Sequence, residues 1–303
     1  PMDRCLQMDR CLHLASPAPR PLEPIDSLAI VTYNVNLGAG AVTAMLDSLV
    51  AGVFSGGVPI RHYLVLLQET IREGAAVPDR IPSGSGAGRA HYPAPSAGER
   101  IDVVSLAERF GLHLYYSPAM RSGKGPNPRG LSEDRGNALL STVALEGLTM
   151  VELPWGGARR IAQVATVRGV TAAGHRWSLD VANVHFDVGP IGPSALSAIR
   201  ARQARAMVAV LDSSRTVVLG GDLNSFSLTG TAESVQILRR AFPDGPLGDP
   251  GPTRGWQRLD YLFFRLPSGS SASSSVRLPS GFGSDHVPLL GWIRFGPPLR
   301  PGG

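Results

Sequence analysis

Val217-Val218-Leu219-Gly220-Gly221-Asp222-Leu223-Asn224 reads as an apolar strand that ends on a glycine pair and then delivers two polar side chains. The glycines permit close backbone approach, and the spacing points Asp222 and Asn224 to one side of the turn. Such a pair can place an attacking water and one phosphate oxygen, although the same tetrapeptide also makes a plain Asx turn. Its weight comes from recurrence. Asn34 follows the buried-strand run Leu28-Ala29-Ile30-Val31-Thr32-Tyr33, and Gln68-Glu69 follows Tyr63-Leu64-Val65-Leu66-Leu67. Asn183-Val184-His185 closes a third strand, and Ser284-Asp285-His286 precedes the last one. Hydrolysis of a phosphate ester needs carboxylates for a hard divalent cation, amides to orient oxygens, and imidazoles to move protons or stabilise charge on phosphorus. All three kinds of group are present at predicted strand ends.

Individual residues sharpen this. Glu69 comes directly after an apolar run, which suits a metal ligand better than a structural role, though alone it would read as an exposed strand-end acid. His185 and Asn183 are alternate residues of one strand and share a face. His286 follows Asp285 directly, so these two point in different directions and take different partners. Asp260 opens the otherwise apolar run Asp260-Tyr261-Leu262-Phe263-Phe264. Burying it requires a partner, and an imidazole would serve.

Between the strands, helices are expected over about 41–53, 100–110, 193–211 and 232–241. The third carries its apolar residues at helical spacing, with Arg200, Arg202 and Arg205 outside. Further strands are expected near 112–116, 137–141, 142–152, 160–168, 177–186, 274–278 and 287–295. Many strands and few helices argue for two sheets packed as a sandwich and covered by helices. Residues 27–296 read as one domain between a flexible N-terminal tail, 1–26, and a C-terminal tail, 297–303. The tail holds a tandem repeat with Cys5 and Cys11, from which no disulfide framework or zinc site follows. It reads as a tail or the remnant of a processed leader. The Gly/Pro/Ser-rich stretch 74–98 is expected to be a surface loop, and 268–275 a hairpin tip.

With 43% hydrophobic residues, the 303-residue chain can bury a sizeable core. A charged fraction of only 17%, with 36 Gly and 26 Pro, implies ordered turns and long loops rather than a helical bundle. The balance of 29 Lys+Arg against 24 Asp+Glu, +5, is as compatible with ordinary solubility as with a polyanionic substrate. No stretch reaches the roughly 18 apolar residues of a membrane span. The chain therefore reads as soluble without stable membrane insertion, and its compartment stays open between cytoplasmic and exported.

Thr-Tyr-Asn-Val at 32–35, Leu-Gln-Glu at 67–69, Gly-Asn-Ala-Leu-Leu-Ser at 136–141, Asn-Val-His at 183–185, Gly-Asp-Leu-Asn at 221–224, Leu-Asp-Tyr at 259–261 and Gly-Ser-Asp-His at 283–286 together resemble the endonuclease/exonuclease/phosphatase superfamily. The resemblance spans about 28–295 and keeps the family's motif order. It implies an α/β fold, a four-layer α/β sandwich of two mostly antiparallel sheets packed face to face with helices outside, as in deoxyribonuclease I. It implies Asn34 and Glu69 at a Mg²⁺ site (Mn²⁺ as the alternative ion), with Asp285 at or beside it. Asp222 would orient or deprotonate the attacking water, and Asn224 would bind the phosphate. His286 would contact the scissile phosphate with Asp260 fixing its tautomer, and His185 would be a second phosphate-facing imidazole.

The reaction expected is in-line attack of water on a phosphodiester by a monomeric, metal-dependent hydrolase. Its most favoured substrate is nucleic acid, with Arg121, Lys124, Arg129 and Arg135 as candidates to line a basic groove. A phospholipid or inositol-phosphate phosphoesterase is the alternative, weakened by the poor apolar content of 74–98. A catalytically silent scaffold is the remote one, since none of the expected positions is missing.

Overall fold

The fold follows from strands buried on both faces, whose alternate side chains turn to opposite layers. A computed structural model describes residues 11–16, 23–75, 77, 100–123, 132–154, 156, 158–188, 192–226, 231–245 and 248–296. Its strands are β1 (Leu12–Leu14), β2 (Ser27–Asn34), β3 (Tyr63–Glu73), β4 (His113–Gly123), β5 (Glu133–Ser141), β6 (Glu146–Leu153), β7 (Arg160–Val170), β8 (Arg176–His185), β9 (Val217–Asp222), β10 (Asp260–Arg265), β11 (Ser271–Ala272), β12 (Val276–Arg277) and β13 (Leu289–Arg294). The helices are α1 (Val42–Val50), α2 (Val103–Phe110), α3 (Pro193–Val210) and α4 (Glu233–Ala241).

Two sheets form. The 8-stranded sheet runs β1-β4-β5-β3-β2-β13-β11, with β12 also on β13, and the 5-stranded sheet runs β10-β9-β8-β7-β6. Only β2 with β3 and β8 with β9 pair in parallel; the other pairings are antiparallel. Alternate residues explain the layering. Leu28, Ile30, Leu64, Leu66 and Leu139 of the larger sheet pack with Ile161, Ala165, Val181, Val218, Leu262 and Phe264 of the smaller one, forming the inner core. Ala29, Val31, Tyr33, Val65 and Leu67 turn outward onto Met45, Leu46, Leu49 and Leu106 of α1 and α2. On the other side Ala182, Val184, Leu219 and Phe263 turn onto Ala204, Met207, Val235 and Leu238 of α3 and α4. The result is the four-layer α/β sandwich.

Several boundaries differ from the sequence reading, each for a physical reason. Within the expected tail, Leu12–Leu14 form an edge strand, with Leu12 opposite Tyr116 and Leu14 opposite Leu114. The alternation Leu-His-Leu packs both leucines on the helix-side cluster, while the disulfide-bonded Cys11 is buried in the inner core. The third strand does not end at Gln68-Glu69. It continues to Glu73 through a register shift between Leu67 and Thr70, because β5 supplies partners as far as Glu133. Likewise 121–123 extend β4 rather than forming a loop. The expected hairpin tip contains β11, paired with the last strand. Apart from 74, 75 and 77, the stretch 74–98 lies outside the described residues, as do Lys124, Arg129, 1–10, 17–22 and the tail 297–303. Among the described residues no helix is long and apolar enough to cross a membrane.

Candidate active site

The inner-facing positions of five strands converge at one end of the two sheets. By the alternation that buries Ile30, Leu66, Val181, Val218 and Leu262 in the inner core, Asn34, Gln68, His185, Asp222 and Asp260 also face inward, at the strand ends. Of these, His185 and Asp222 line a cleft of about 250 Å³, together with Glu69, Asn137, Asn224, Asp285 and His286. Glu69 would follow Leu67 to the helix side if the alternation held. The register shift and a left-handed φ of 56° at Glu69 turn its side chain into the cleft instead. A non-glycine residue rarely adopts that backbone, and such strain gathers at functional sites.

Asp222 and Asp260 are direct cross-strand partners, both buried. Two carboxylates facing each other in the interior need a cation between them. His286 supplies it. Its Nδ1 is 2.8 Å from Asp260 Oδ2, and its Nε2 is 3.8 Å from Asp222 Oδ2. Burial pulls the imidazole pKa down, but the charge and hydrogen bond of Asp260, helped by Asp222 and Asp285, push it up to about 9. Burial, and then the charge of Asp260, raise the Asp222 pKa to about 6 against the opposing pull of His286, Asn34 and the Asn224 N–H. At neutral pH the set is therefore an imidazolium between two carboxylates. Asp222, Asp260 and His286 do bring ligand-type atoms within 4.8 Å of one another, as in a metal site. The imidazolium offsets one of the two carboxylate charges and its Nδ1 is already bonded to Asp260, so we read the cluster as a relay and not as coordination.

His185 is built differently. Arg160 at the start of β7 places Nη1 3.3 Å from its Nδ1. Its Nε2 is 3.7 Å from Glu69 Oε1 and 3.7 Å from Asp222 Oδ2, beyond hydrogen-bond reach, and is buried with no partner. Burial first, then the charges of Arg160 and His286, hold this pKa well below the ordinary value, so the ring is neutral. Asn224, at a left-handed φ of 46°, donates its backbone N–H to Asp222 Oδ1 at 2.7 Å and its Nδ2 to the Phe186 carbonyl at 3.1 Å. Asn183 does not reach the cleft lining. It clamps the sheets, donating to the carbonyls of Leu67 and Ala138, each at 3.0 Å, and accepting from Gln68 Nε2 at 2.8 Å.

The residues expected at a metal divide. Asn34 Nδ2 donates to Asp222 Oδ2 at 2.9 Å and approaches Glu69 Oε1 at 3.4 Å, while its Oδ1 accepts from the Asn36 N–H at 3.0 Å. Asp285 lies at the cleft mouth, 40% exposed, in an ion pair with Arg254 at 2.7 Å. Arg160 and Arg254 were not among the sequence candidates. An arginine opening an apolar strand ordinarily runs its head to solvent, and one inside a Gly/Pro-rich loop carries no local signal. Of the proposed basic groove, Arg135 lines the cleft, held by Glu133 at 2.9 Å.

The sequence profile of the endonuclease/exonuclease/phosphatase family matches residues 31–286, a span that holds every one of these side chains. The chain belongs to that family. Its members are phosphoesterase hydrolases, generally dependent on a divalent metal. Among solved structures, the family protein from Beutenbergia cavernae is 20% identical, with a TM-score of 0.60 over 90% of this chain and 72% of that one. A family protein from Leptotrichia buccalis is 12% identical, with a TM-score of 0.55 over 88% of this chain and 100% of the other. D. rerio TDP2, solved with a single-strand DNA product, is 14% identical, with a TM-score of 0.51 over 89% and 100%. At these identities the likeness is one of fold. A search of curated proteins returned no match.

A hard divalent cation takes oxygen ligands and often keeps several waters, so one carboxylate and one amide oxygen suffice. Glu69 fits, since it faces the cleft with no Lys or Arg partner among the described residues. Asn34 fits only with its amide turned over, which gives up both the contact to Asn36 and the donation to Asp222. Asp285 is engaged by Arg254 and joins only by exchanging that partner.

Proposed function

We propose that this chain is a divalent-metal-dependent phosphodiesterase that hydrolyses its substrate by in-line water attack, with nucleic acid as the substrate class. The observation that carries it is the facing pair of imidazoles in different states on one cleft, the Asp260-held cation of His286 and the neutral His185, with Asp222 between them.

The chemistry follows from the charges. Asp222, ionised above about pH 6, accepts hydrogen bonds and is placed to orient a water and take its proton. His286 presents Nε2–H as a charged donor to the phosphoryl oxygens, where negative charge grows in the transition state. His185 adds a neutral donor from the other side. Asn224, fixed by Phe186, binds at the same edge. Glu69 and Asn34 would hold the cation, which when bound polarises a phosphoryl oxygen and neutralises charge. Further phosphates of a polyanionic substrate would draw on Arg135 and Arg254 of the lining by exchange of their partners Glu133 and Asp285, which suits the nucleic-acid reading. The TDP2 fold relative with a DNA product is in keeping with it.

The test is hydrolysis of bis-p-nitrophenyl phosphate, single-stranded and plasmid DNA, and a phospholipid panel, with Mg²⁺, with Mn²⁺ and with chelator. Metal-dependent cleavage of DNA is expected, lost with chelator. His286→Ala should lower kcat by roughly 10²–10³-fold with KM nearly unchanged. Cleavage confined to phospholipid would reject the nucleic-acid assignment, and inactivity on every substrate would reject the enzyme.

A further inference from the structure

The two imidazoles of the cleft are supported by groups of opposite charge. Behind His286 Nδ1 stands a carboxylate, Asp260, at 2.8 Å; behind His185 Nδ1 stands a guanidinium, Arg160, at 3.3 Å. The consequence is chemical. A guanidinium has donors only and does not lose a proton in proteins. His185 Nδ1 must then accept, which leaves the ring proton on Nε2. That nitrogen is buried, has no hydrogen-bond partner, and faces the cleft between Glu69 and Asp222. A buried unpartnered donor is costly unless something completes it.

The geometry points to Arg160 as a positioning residue that holds His185 as the Nε2–H tautomer, so that His185 serves as an uncharged hydrogen-bond donor to a phosphoryl oxygen and is barred from ligating a cation. A metal-binding imidazole needs a free lone pair toward the ion and usually donates its other N–H to a carboxylate or carbonyl. Arg160 enforces the reverse. The side chain at position 160 therefore decides whether the imidazole beside Glu69 faces substrate as a donor or joins the metal as a ligand. The role given to the phosphoryl oxygen rests on the phosphodiesterase reading, but the tautomer and its cause do not.

The experiment is a long-range ¹H–¹⁵N correlation of the imidazoles in metal-free, substrate-free, ¹⁵N-labelled protein near neutral pH, with His185 assigned by its disappearance in His185→Gln. In the wild type, Nδ1 should show the shift of an unprotonated nitrogen and Nε2 that of a protonated one, with a preference of roughly tenfold or more. Arg160→Lys, still a donor, should retain that pattern. Arg160→Gln should mix the tautomers or reverse them. A wild-type Nδ1–H signal or an unchanged tautomer in folded Arg160→Gln would each overturn the assignment. The wild-type measurement needs no Arg160 variant to fold. A correct tautomer with no hydrolysis of any phosphoester would reject the proposed function and leave this inference standing.

Discussion

Asp260 acts on the cleft only through the imidazole it holds. Because the His286 pKa rises from 6.5 to about 9 largely through that carboxylate, the cation persists across the neutral range and is lost as pH rises through about 9. Activity that needs this cation should fall along an alkaline limb near pH 9. Asp260→Asn removes the charge that raises the pKa, so the proton leaves at lower pH and the limb should move down by about one to two units. Burial, which already opposes the cation, reinforces that direction. The pH dependence of kcat/KM for the two proteins checks it, and a limb that stays in place would separate Asp260 from the ionisation of His286. At this scale the sequence was informative about type and poor about partner. Asp260 announced its need for an imidazole by opening an apolar run, but nothing near Asp285 in the chain signals that Arg254 pairs with it.

Among the elements, β9 carries the tightest requirement. Gly221 has φ 150°, and a Cβ there would lie 1.9 Å from the Val184 carbonyl oxygen of β8. Backbone cannot yield as a side-chain tip can. The two strands pair in parallel with Val184 opposite Gly221 and His185 opposite Asp222, so pushing them apart would also separate those two site residues. Gly221→Ala should cost at least about 3 kcal/mol of stability and lower activity even where the fold survives. At Gly220 the added Cβ would meet Leu262 Cδ2 at 2.7 Å, a movable methyl, so Gly220→Ala should cost less. Chemical denaturation of both variants checks the order, and equal losses would refute it. The glycine pair was legible as a site of close approach, but which of the two is indispensable depends on a neighbouring strand. The bulge at Glu69 was not legible, because an apolar run followed by polar residues reads as a strand end. The partners that prolong β3 come from β5, some sixty residues later.

Across the whole molecule, the site rests on a polar clamp between the sheets. Asn183 of the smaller sheet binds Gln68 and the Leu67 and Ala138 carbonyls of the larger, while Gln163 donates to the Tyr115 carbonyl at 2.8 Å and to Ser117 at 3.1 Å. Losing one member leaves several buried polar groups unsatisfied in a dry interior. Asn183→Ala should therefore destabilise by about 2–4 kcal/mol, more than an ordinary surface change, and thermal unfolding will show whether it does. A loss within 0.5 kcal/mol, the range of surface substitutions, would mean the sheets are held by apolar packing alone. The asparagine was read from the sequence for the face it shares with His185, and that face is the interface between sheets. By itself the sequence determined the layered sandwich, the family's motif order and the side chains that gather at the strand ends. Those follow from apolar runs that can be buried on both faces and from polar residues that no apolar strand would otherwise carry. Only the tertiary structure decided which charge stands behind each imidazole, that Asp285 is held by an arginine, and that Glu69 turns inward. Hydrogen-bond partners distant in the chain are chosen by three-dimensional proximity, and local pattern does not encode proximity.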